Sequence, residues 1–313
     1  MLKICNIPNY PVYNRTNQFL PKKADAFDYF TKSNVNFTGR QENFQNKINA
    51  FSDKLEQYVL NGEISIDNVT SVVNEELSEK AEVKPFSELY KNIIAAPGTR
   101  AYSYIPIGLN RESGGINAIQ PGKTIFVKLP ENTDIVEKYR FISAMSHEYT
   151  HLCQHEEPEK SIFVLIDKYL KSAAVDDKTK LNTMQAAPII FKGIEFNMNQ
   201  ALACSLQKTD ALPKVIPCAS EEILNQKIKS VTNMDTDNFI KTLMASCAAN
   251  AEQKLGKIDR KFVKNYIKAW ASNELEAYQR ELKELKKLMN IHEETDWDLK
   301  IMLYKKLMAA VEN

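Results

Sequence analysis

The chain lacks the sequence features that mark membrane and secreted proteins. No apolar run in its 313 residues approaches the roughly 18 to 20 residues that a membrane-spanning helix needs. The N-terminal segment contains no continuous apolar stretch of signal-peptide length. We therefore expect no membrane span and a cytoplasmic location, while export by a route that leaves no such mark is left open.

Cysteine and net charge exclude further classes of protein. The five cysteines are scattered and include no Cys-x-x-Cys pair. This distribution argues against a disulfide framework and a cysteine zinc site, and it fits a reducing cytosol. The 41 Lys and Arg residues balance 40 Asp and Glu residues, for a net charge of +1. That balance gives no electrostatic reason to expect nucleic acid or an anionic membrane as a partner.

Most of the chain has the apolar spacing of helices. The first clear pattern covers Gln41–Leu60, and two shorter patterns follow over residues 66–77 and 85–97. Later helices are predicted over residues 161–174, 220–233, 236–254, 260–290 and 296–311. Three prolines interrupt the stretch between the first two of these ranges, which has no clear element: Pro188, Pro213 and Pro217.

One region has the texture of a small sheet. Tyr102–Ile107 and Thr124–Leu129 are β-prone and are separated by glycine-containing turns. Asp134 and Glu137 then resemble a capping box that opens a long helix ending near Glu156. The sequence therefore predicts an α+β protein that is predominantly helical, with a small sheet before one long helix and a large helical C-terminal part.

The chain divides into three regions by pattern. Residues 1–40 show no sustained periodicity, and we expect a poorly ordered N-terminal arm there. Residues 41–98 form a helical N-terminal region. Residues 99–313 form one domain that contains the predicted sheet and the long helix.

Histidine is scarce, yet three of the four histidines fall within nine residues. The cluster contains His147-Glu148-x-x-His151 inside the long predicted helix. Residues four apart lie on one helix face, roughly 6 Å apart along the axis, so both imidazoles can bind one ion. Glu148, beside the first histidine, can reach a water on that ion without binding the ion itself. The pattern predicts a zinc site, and the alternative is a helix with accidental histidines.

The third histidine of the cluster, His155, is expected to have a different role. It lies roughly 12 Å along the axis from His147, too far to bind the same ion in a regular helix. A histidine suits the C-terminal end of a helix dipole, and Glu156 and Glu157 beside it are expected to face solvent. We therefore expect a solvated helix end, with a supporting role beside the metal ligands as the alternative. Cys153 is expected to be a buried structural thiol.

A catalytic zinc site needs a third protein ligand, and Glu274 is the candidate. The residues three and four positions before and after it are all apolar or aromatic: Trp270, Ala271, Ala277 and Tyr278. A carboxylate on the buried face of a helix is costly unless it is paired or bound to metal. Pairing with a buried Lys or Arg is the alternative. Glu276 is expected on the polar face with Asn273, Arg280 and Lys283.

His147-Glu148-x-x-His151 followed by Glu274-x-x-Ala277 resembles the gluzincin branch of the zincin-type zinc metallopeptidases. The resemblance implies that His147, His151 and Glu274 bind Zn²⁺. It implies that Glu148 is the general base of zinc-dependent peptide-bond hydrolysis. It also implies a zincin-like fold for the domain.

In that family the strand before the motif helix is an edge strand that lines the cleft. The resemblance implies that a peptide or protein substrate pairs with Thr124–Leu129 by strand addition. The metzincin branch is disfavoured, because it requires glycine and histidine where this chain has Gln154 and Glu157.

The chain also departs from the gluzincin pattern. Some members carry an aspartate four residues after the ligand glutamate, and Tyr278 stands there in this chain. A tyrosine hydroxyl can hydrogen-bond a ligand, but it cannot raise imidazole basicity as a carboxylate does. The donor to a developing oxyanion is not assigned, with Tyr278, His292 and several arginines as candidates. The charged run Gln279–Lys287 is expected to be a solvated helix face.

These observations favour a zinc-dependent endopeptidase. One alternative is a zincin-like domain that binds zinc and a partner without proteolysis. Another is a secreted toxin or effector peptidase, with the N-terminal arm serving delivery. The sequence does not predict the oligomeric state.

Overall fold

The computed structural model describes residues 37–88, 101–104, 108–112, 115–119, 123–130, 134–203, 220–290 and 299–312. The helices in these ranges are α1 Phe37–Leu60, α2 Ile66–Val73, α3 Ile135–Glu156, α4 Ile162–Ser172, α5 Asp177–Ala203, α6 Glu221–Thr232, α7 Thr236–Leu255, α8 Arg260–Leu288 and α9 Leu299–Glu312. The strands are β1 Glu82–Pro85, β2 Ala101–Tyr104, β3 Gly108–Glu112, β4 Gly115–Ile119 and β5 Thr124–Val127. The predominantly helical α+β class is therefore confirmed. Most of the predicted N-terminal arm, residues 1–36, lies outside the described residues.

Helix ends follow local capping chemistry. The Asp134 side chain accepts a hydrogen bond from the backbone N–H of Val136 and caps α3 as predicted. Asp259 caps α8 in the same way, accepting from Lys261 and Phe262. Because these caps satisfy the unpaired donors of the first turn, both helices begin close to their predicted positions. No helix in the described ranges is both long and apolar enough to cross a membrane.

Two predictions around prolines need correction. The interrupted stretch is largely one helix, α5, which runs through Pro188. An internal proline costs a helix about 3 kcal/mol, and the buried side chains on either side, including Phe191 and Ile194, offset that cost. Pro85, predicted to open a helix, instead ends β1 and precedes a short 3₁₀ turn at Phe86–Glu88. Residues 89–98 of that predicted helix lie outside the described part.

The sheet has three strands in the order β1-β5-β2, and β3 and β4 form a separate hairpin. β1 is parallel to β5, and β2 is antiparallel to it. The predicted strand at Thr124–Leu129 is present as β5, but it is central and not an edge. Its backbone already pairs on both sides, so a substrate strand cannot be added to it. The sequence did not predict β1.

Two hydrophobic clusters form the core. One contains side chains of α1, α2, β5 and α3, and the other contains side chains of α4 to α9. α3 packs against α1 through the stacked rings of Phe51 and Tyr149, whose centroids are 3.9 Å apart. Beside them the hydroxyls of Ser52 and Ser146 hydrogen-bond at 2.7 Å. The N-terminal region therefore shares a core with the motif helix, and the boundary at residue 99 stays a prediction.

Glu156 ties the C-terminal end of α3 to the N-terminal region. Its carboxylate accepts hydrogen bonds from the backbone N–H groups of Ser78 at 2.9 Å and Glu79 at 3.3 Å. The ammonium of the buried Lys123 lies 3.4 Å away. Burial raises the pKa of the Glu156 carboxyl, but the Ser78 bond and the Lys123 charge outweigh this and lower the pKa overall. The expectation that Glu156 faces solvent is wrong, because these donors draw it inward.

We predict that Phe51→Ala destabilises the protein by about 3–5 kcal/mol, because it removes a buried aromatic side chain and leaves a cavity against Tyr149. Urea unfolding followed by circular dichroism measures the loss. Leu60→Ala, at a 37% exposed position of the same helix, is the control and should change the free energy of unfolding by less than about 0.5 kcal/mol. Equal losses would contradict the packing described for α1 and α3.

Candidate metal centre

His147 and His151 lie one turn apart on the face of α3 that packs against α8. Both are buried, with 6% and 5% of their surface exposed. Their Nε2 atoms are 3.2 Å apart. The predicted convergence of the two imidazoles is therefore present.

α8 brings Glu274 to the same point, as predicted. Its Oε2 lies 3.6 Å from Nε2 of His147, and its Oε1 lies 3.6 Å from Nε2 of His151. Burial raises the pKa of Glu274, but the charge and hydrogen bonds of the two histidines hold it well below its usual range. Among the described residues, the ion-pair partners of the Glu274 carboxylate are His147 and His151. Pairing with a buried Lys or Arg, the alternative, is not observed among those residues.

The distances within this triad fit a tetrahedral zinc site. Two ligands that are each roughly 2.0–2.1 Å from a tetrahedral zinc stand roughly 3.4 Å apart. The three measured separations are 3.2, 3.6 and 3.6 Å. The three residues are also the group of potential ligands that the described part of the chain brings together. Two imidazoles and one carboxylate are a donor set that zinc accepts.

Gln154 fixes the tautomer of His151. Its Nε2 donates to the backbone carbonyl of Asn273 and to the carboxylate of Glu276, both at 2.9 Å. Its Oε1 must therefore be the acceptor in the 2.9 Å contact with Nδ1 of His151. With the proton on Nδ1, the lone pair of Nε2 points towards Glu274 and His147. The sequence did not predict this role for Gln154. Its position three residues after His151, on the same face of the helix, could have indicated it.

The polar face predicted for α8 is partly buried in this region. Asn273 and Arg280 are buried, and the Asn273 amide donates to the carbonyl of Lys160. The ammonium of Lys160 also lies 2.5 Å from the carboxylate of Glu276. Asn273 and Glu276 face α3 and its following turn, whereas Arg280 donates to Asn49 of α1. The periodicity of α8 alone did not reveal these contacts.

Glu281 was missed by the sequence analysis. It belongs to the run Gln279–Lys287 that was expected to be solvated, yet its Oε2 lies 3.1 Å from Nδ1 of His147. Burial alone lowers the pKa of His147, but the carboxylates of Glu274 and Glu281 outweigh it and raise the pKa to about 10. The sequence spacing could have indicated this contact, since Glu281 lies seven residues after Glu274 and residues seven apart nearly share one helix face.

Tyr278 packs against a ligand through its ring. The centroids of the Tyr278 and His147 rings are 4.4 Å apart in an edge-on arrangement. Its hydroxyl accepts a hydrogen bond from Lys300 of α9 at 3.4 Å, and the ammonium lies 4.6 Å from the ring centroid. Tyr278 therefore forms a wall of the site beside His147.

His155 is not the solvated helix end that was expected. Its ring lies 5.3 Å from Phe163 and 6.2 Å from Trp270, measured between centroids. Burial lowers the pKa of His155 to about 3, so the imidazole is neutral and makes no charge–dipole interaction. Its Nδ1 is buried without a hydrogen-bond partner in the described residues. The aromatic side chains of α4 and α8 enclose it, and only tertiary structure places them there.

Cys153 is buried as expected, and the role of Glu148 as general base stays a prediction. Glu148 is partly exposed beside His147, and its charge contributes to raising the pKa of that histidine. Cys153 is buried, and burial raises the pKa of its thiol to about 12. The thiol is therefore protonated at neutral pH and is a structural group, as predicted.

The chain was compared with models of protein families, with curated proteins and with solved structures. It matches none of them. The resemblance to gluzincins is therefore carried by the motif residues alone, and the function is proposed from the geometry of the triad.

We predict that the wild-type protein purifies with a stoichiometric amount of zinc and that Glu274→Ala loses most of it, because two histidines alone leave the ion with one protein ligand fewer. Atomic absorption after dialysis measures the metal. Glu222→Ala removes an exposed carboxylate on α6 and should keep the zinc. A metal-free wild type, or full zinc in Glu274→Ala, would contradict the assignment.

Proposed function

We propose that the protein is a zinc-dependent peptidase of the zincin type, with zinc held by His147, His151 and Glu274. The observation that carries this proposal is the convergence of the three side chains at 3.2–3.6 Å with a geometry suited to zinc. A zinc ion bound there supplies a Lewis acid that polarises a carbonyl group and lowers the pKa of water to roughly 7.

Glu148 is the general base in this proposal. It follows His147 on α3 and is partly exposed, and its charge contributes to raising the pKa of that histidine. It accepts a proton from the attacking water and then delivers a proton to the leaving amine, so that hydrolysis consumes one water and regenerates the carboxylate. The buried histidines and Glu274 are held in place by packing and act as ligands only.

The substrate in this proposal is an extended peptide or protein segment. β5 is paired on both sides, which excludes it as the strand that binds substrate. β2 is antiparallel to β5 and, among the described strands, is paired on one side only. It also packs against α3. The backbone of Ala101–Tyr104 therefore offers a substrate the unpaired hydrogen-bonding groups that β5 lacks.

A second candidate function is a zinc-binding domain without proteolytic activity. The ligands are only 4–6% exposed. They join α3 and α8, which belong to the two different hydrophobic clusters. Such burial suits a structural metal that contributes to folding.

We predict that Glu148→Gln lowers peptide cleavage by about 10²- to 10⁴-fold, because the amide cannot accept the proton of the attacking water. A fluorogenic peptide library measures the rate, with zinc content confirmed in each protein. Glu137→Gln makes the same change in the first turn of α3 and should leave the rate unchanged. Equal cleavage by wild type and Glu148→Gln would contradict the hydrolase assignment.

The same samples separate the two candidates. A structural zinc predicts a zinc-loaded wild type with no cleavage of any library peptide, and a large fall in thermal midpoint on chelation. Binding of zinc at 100 times its dissociation constant stabilises a fold by about 2.7 kcal/mol. A peptidase predicts cleavage that disappears on chelation and returns with added zinc.

A further inference from the structure

The outer nitrogen of His147 faces a carboxylate that the motif does not contain. We propose that Glu281 is a positioning residue of the metal centre, which holds His147 so that its Nε2 faces the ion. The inference depends on the proposed zinc site. In this chain Glu281 supplies the carboxylate that is lacking at position 278, four residues after the ligand Glu274.

The geometry of α8 accounts for the position of Glu281. It lies seven residues after Glu274, which is roughly 10 Å along the axis and roughly 20° from the same face. α8 runs antiparallel to α3, because Gln154 meets Asn273 at one end of the contact while His147 meets Glu281 at the other. One helix thus presents a carboxylate to the metal side of the histidines and a second carboxylate behind His147.

The contact between Glu281 and His147 sets a tautomer. Oε2 of Glu281 lies 3.1 Å from Nδ1 of His147 as an ion-pair contact, and because an ionised carboxylate has no proton to donate, this contact favours the proton of His147 on Nδ1 and leaves Nε2 to face the ion. The Glu281 side chain keeps 34% of its surface exposed, and its carboxylate also interacts with the charge of Lys300 on α9. Gln154 makes the corresponding contact to His151. Each of the two imidazole rings is therefore contacted at Nδ1, the nitrogen that faces away from the ion: His147 by a carboxylate and His151 by an amide.

Lys300 makes the role of Glu281 testable. If Glu281 served only to pair α8 with the Lys300 charge of α9, removal of either partner would have the same effect. If Glu281 positions His147, only its own removal weakens zinc binding, since Lys300 adds a positive charge near a cation site. Lys300→Met removes that charge, whose ammonium lies 4.6 Å from the Tyr278 ring centroid, and keeps an unbranched side chain.

The experiment measures zinc dissociation constants by competition with a chelator of known affinity. Glu281→Gln is expected to weaken zinc binding by about 10- to 100-fold, the range found when the partner of a ligand histidine is removed. Lys300→Met is expected to bind zinc at least as tightly as wild type. The visible absorption of the cobalt-substituted proteins should shift in Glu281→Gln and not in Lys300→Met. Thermal midpoints of the metal-free proteins control for folding.

The outcomes are distinct. Wild-type affinity in Glu281→Gln, or equal weakening by Glu281→Gln and Lys300→Met, overturns the positioning role while the zinc site stands. A wild type that binds no zinc overturns the proposed function itself.

Discussion

The main constraint on this structure is the close approach of three electron-donating side chains in a buried position. Two imidazole nitrogens and a carboxylate lie within 3.2–3.6 Å of one another in a buried position. A buried carboxylate is costly unless positive charge compensates it. The carboxylates of Glu274 and Glu281 raise the pKa of His147, so this position favours positive charge. In the proposed zinc site, a divalent cation bound to all three groups would supply this positive charge.

The rest of the fold holds the two helices that create this demand. α1 packs on one side of α3 through Phe51 and Tyr149, and Glu156 anchors its C-terminal end to the N-terminal region. On the other side, α9 packs along α8, where Tyr304 stacks on Tyr278 with centroids 5.5 Å apart. Because α1 packs against α3 and α9 packs against α8, the side chains of His147, His151 and Glu274 have little freedom to separate. Such preorganisation is what a metal site requires of its scaffold.

Much of this arrangement depends on residues that are close to one another in the sequence, and it could therefore be predicted. The spacing of His147 and His151 is a property of any helix, and Glu274 was identified by standing on the apolar stripe of its own helix. The residues that were missed depend on a second element. Glu281 keeps 34% of its side chain exposed, and its carboxylate contacts His147 only because α8 packs against α3. The enclosure of His155 likewise depends on Phe163 and Trp270.

The prediction of the sheet was incomplete for a related reason. A β-prone segment can be recognised by composition, but whether it is central or at an edge depends on pairing with distant segments. β1 is a short strand next to a proline, and it is defined by its pairing with β5 about forty residues later. The helix through Pro188 persists because the packing of its neighbours outweighs a local penalty that sequence patterns treat as decisive.

The separation of the ligands along the chain has a consequence for folding. His147 and His151 become neighbours as soon as α3 forms, because their contact is made within one turn of helix. Glu274 lies more than a hundred residues further along the chain on a helix of the other hydrophobic cluster, so its contact with the histidines requires a long loop to close. In the proposed zinc site, the two histidines of α3 supply only part of the set of ligands, and Glu274 completes the set only where α8 packs against α3. An ion bound by all three groups of the proposed site would therefore link the two hydrophobic clusters of the molecule to each other.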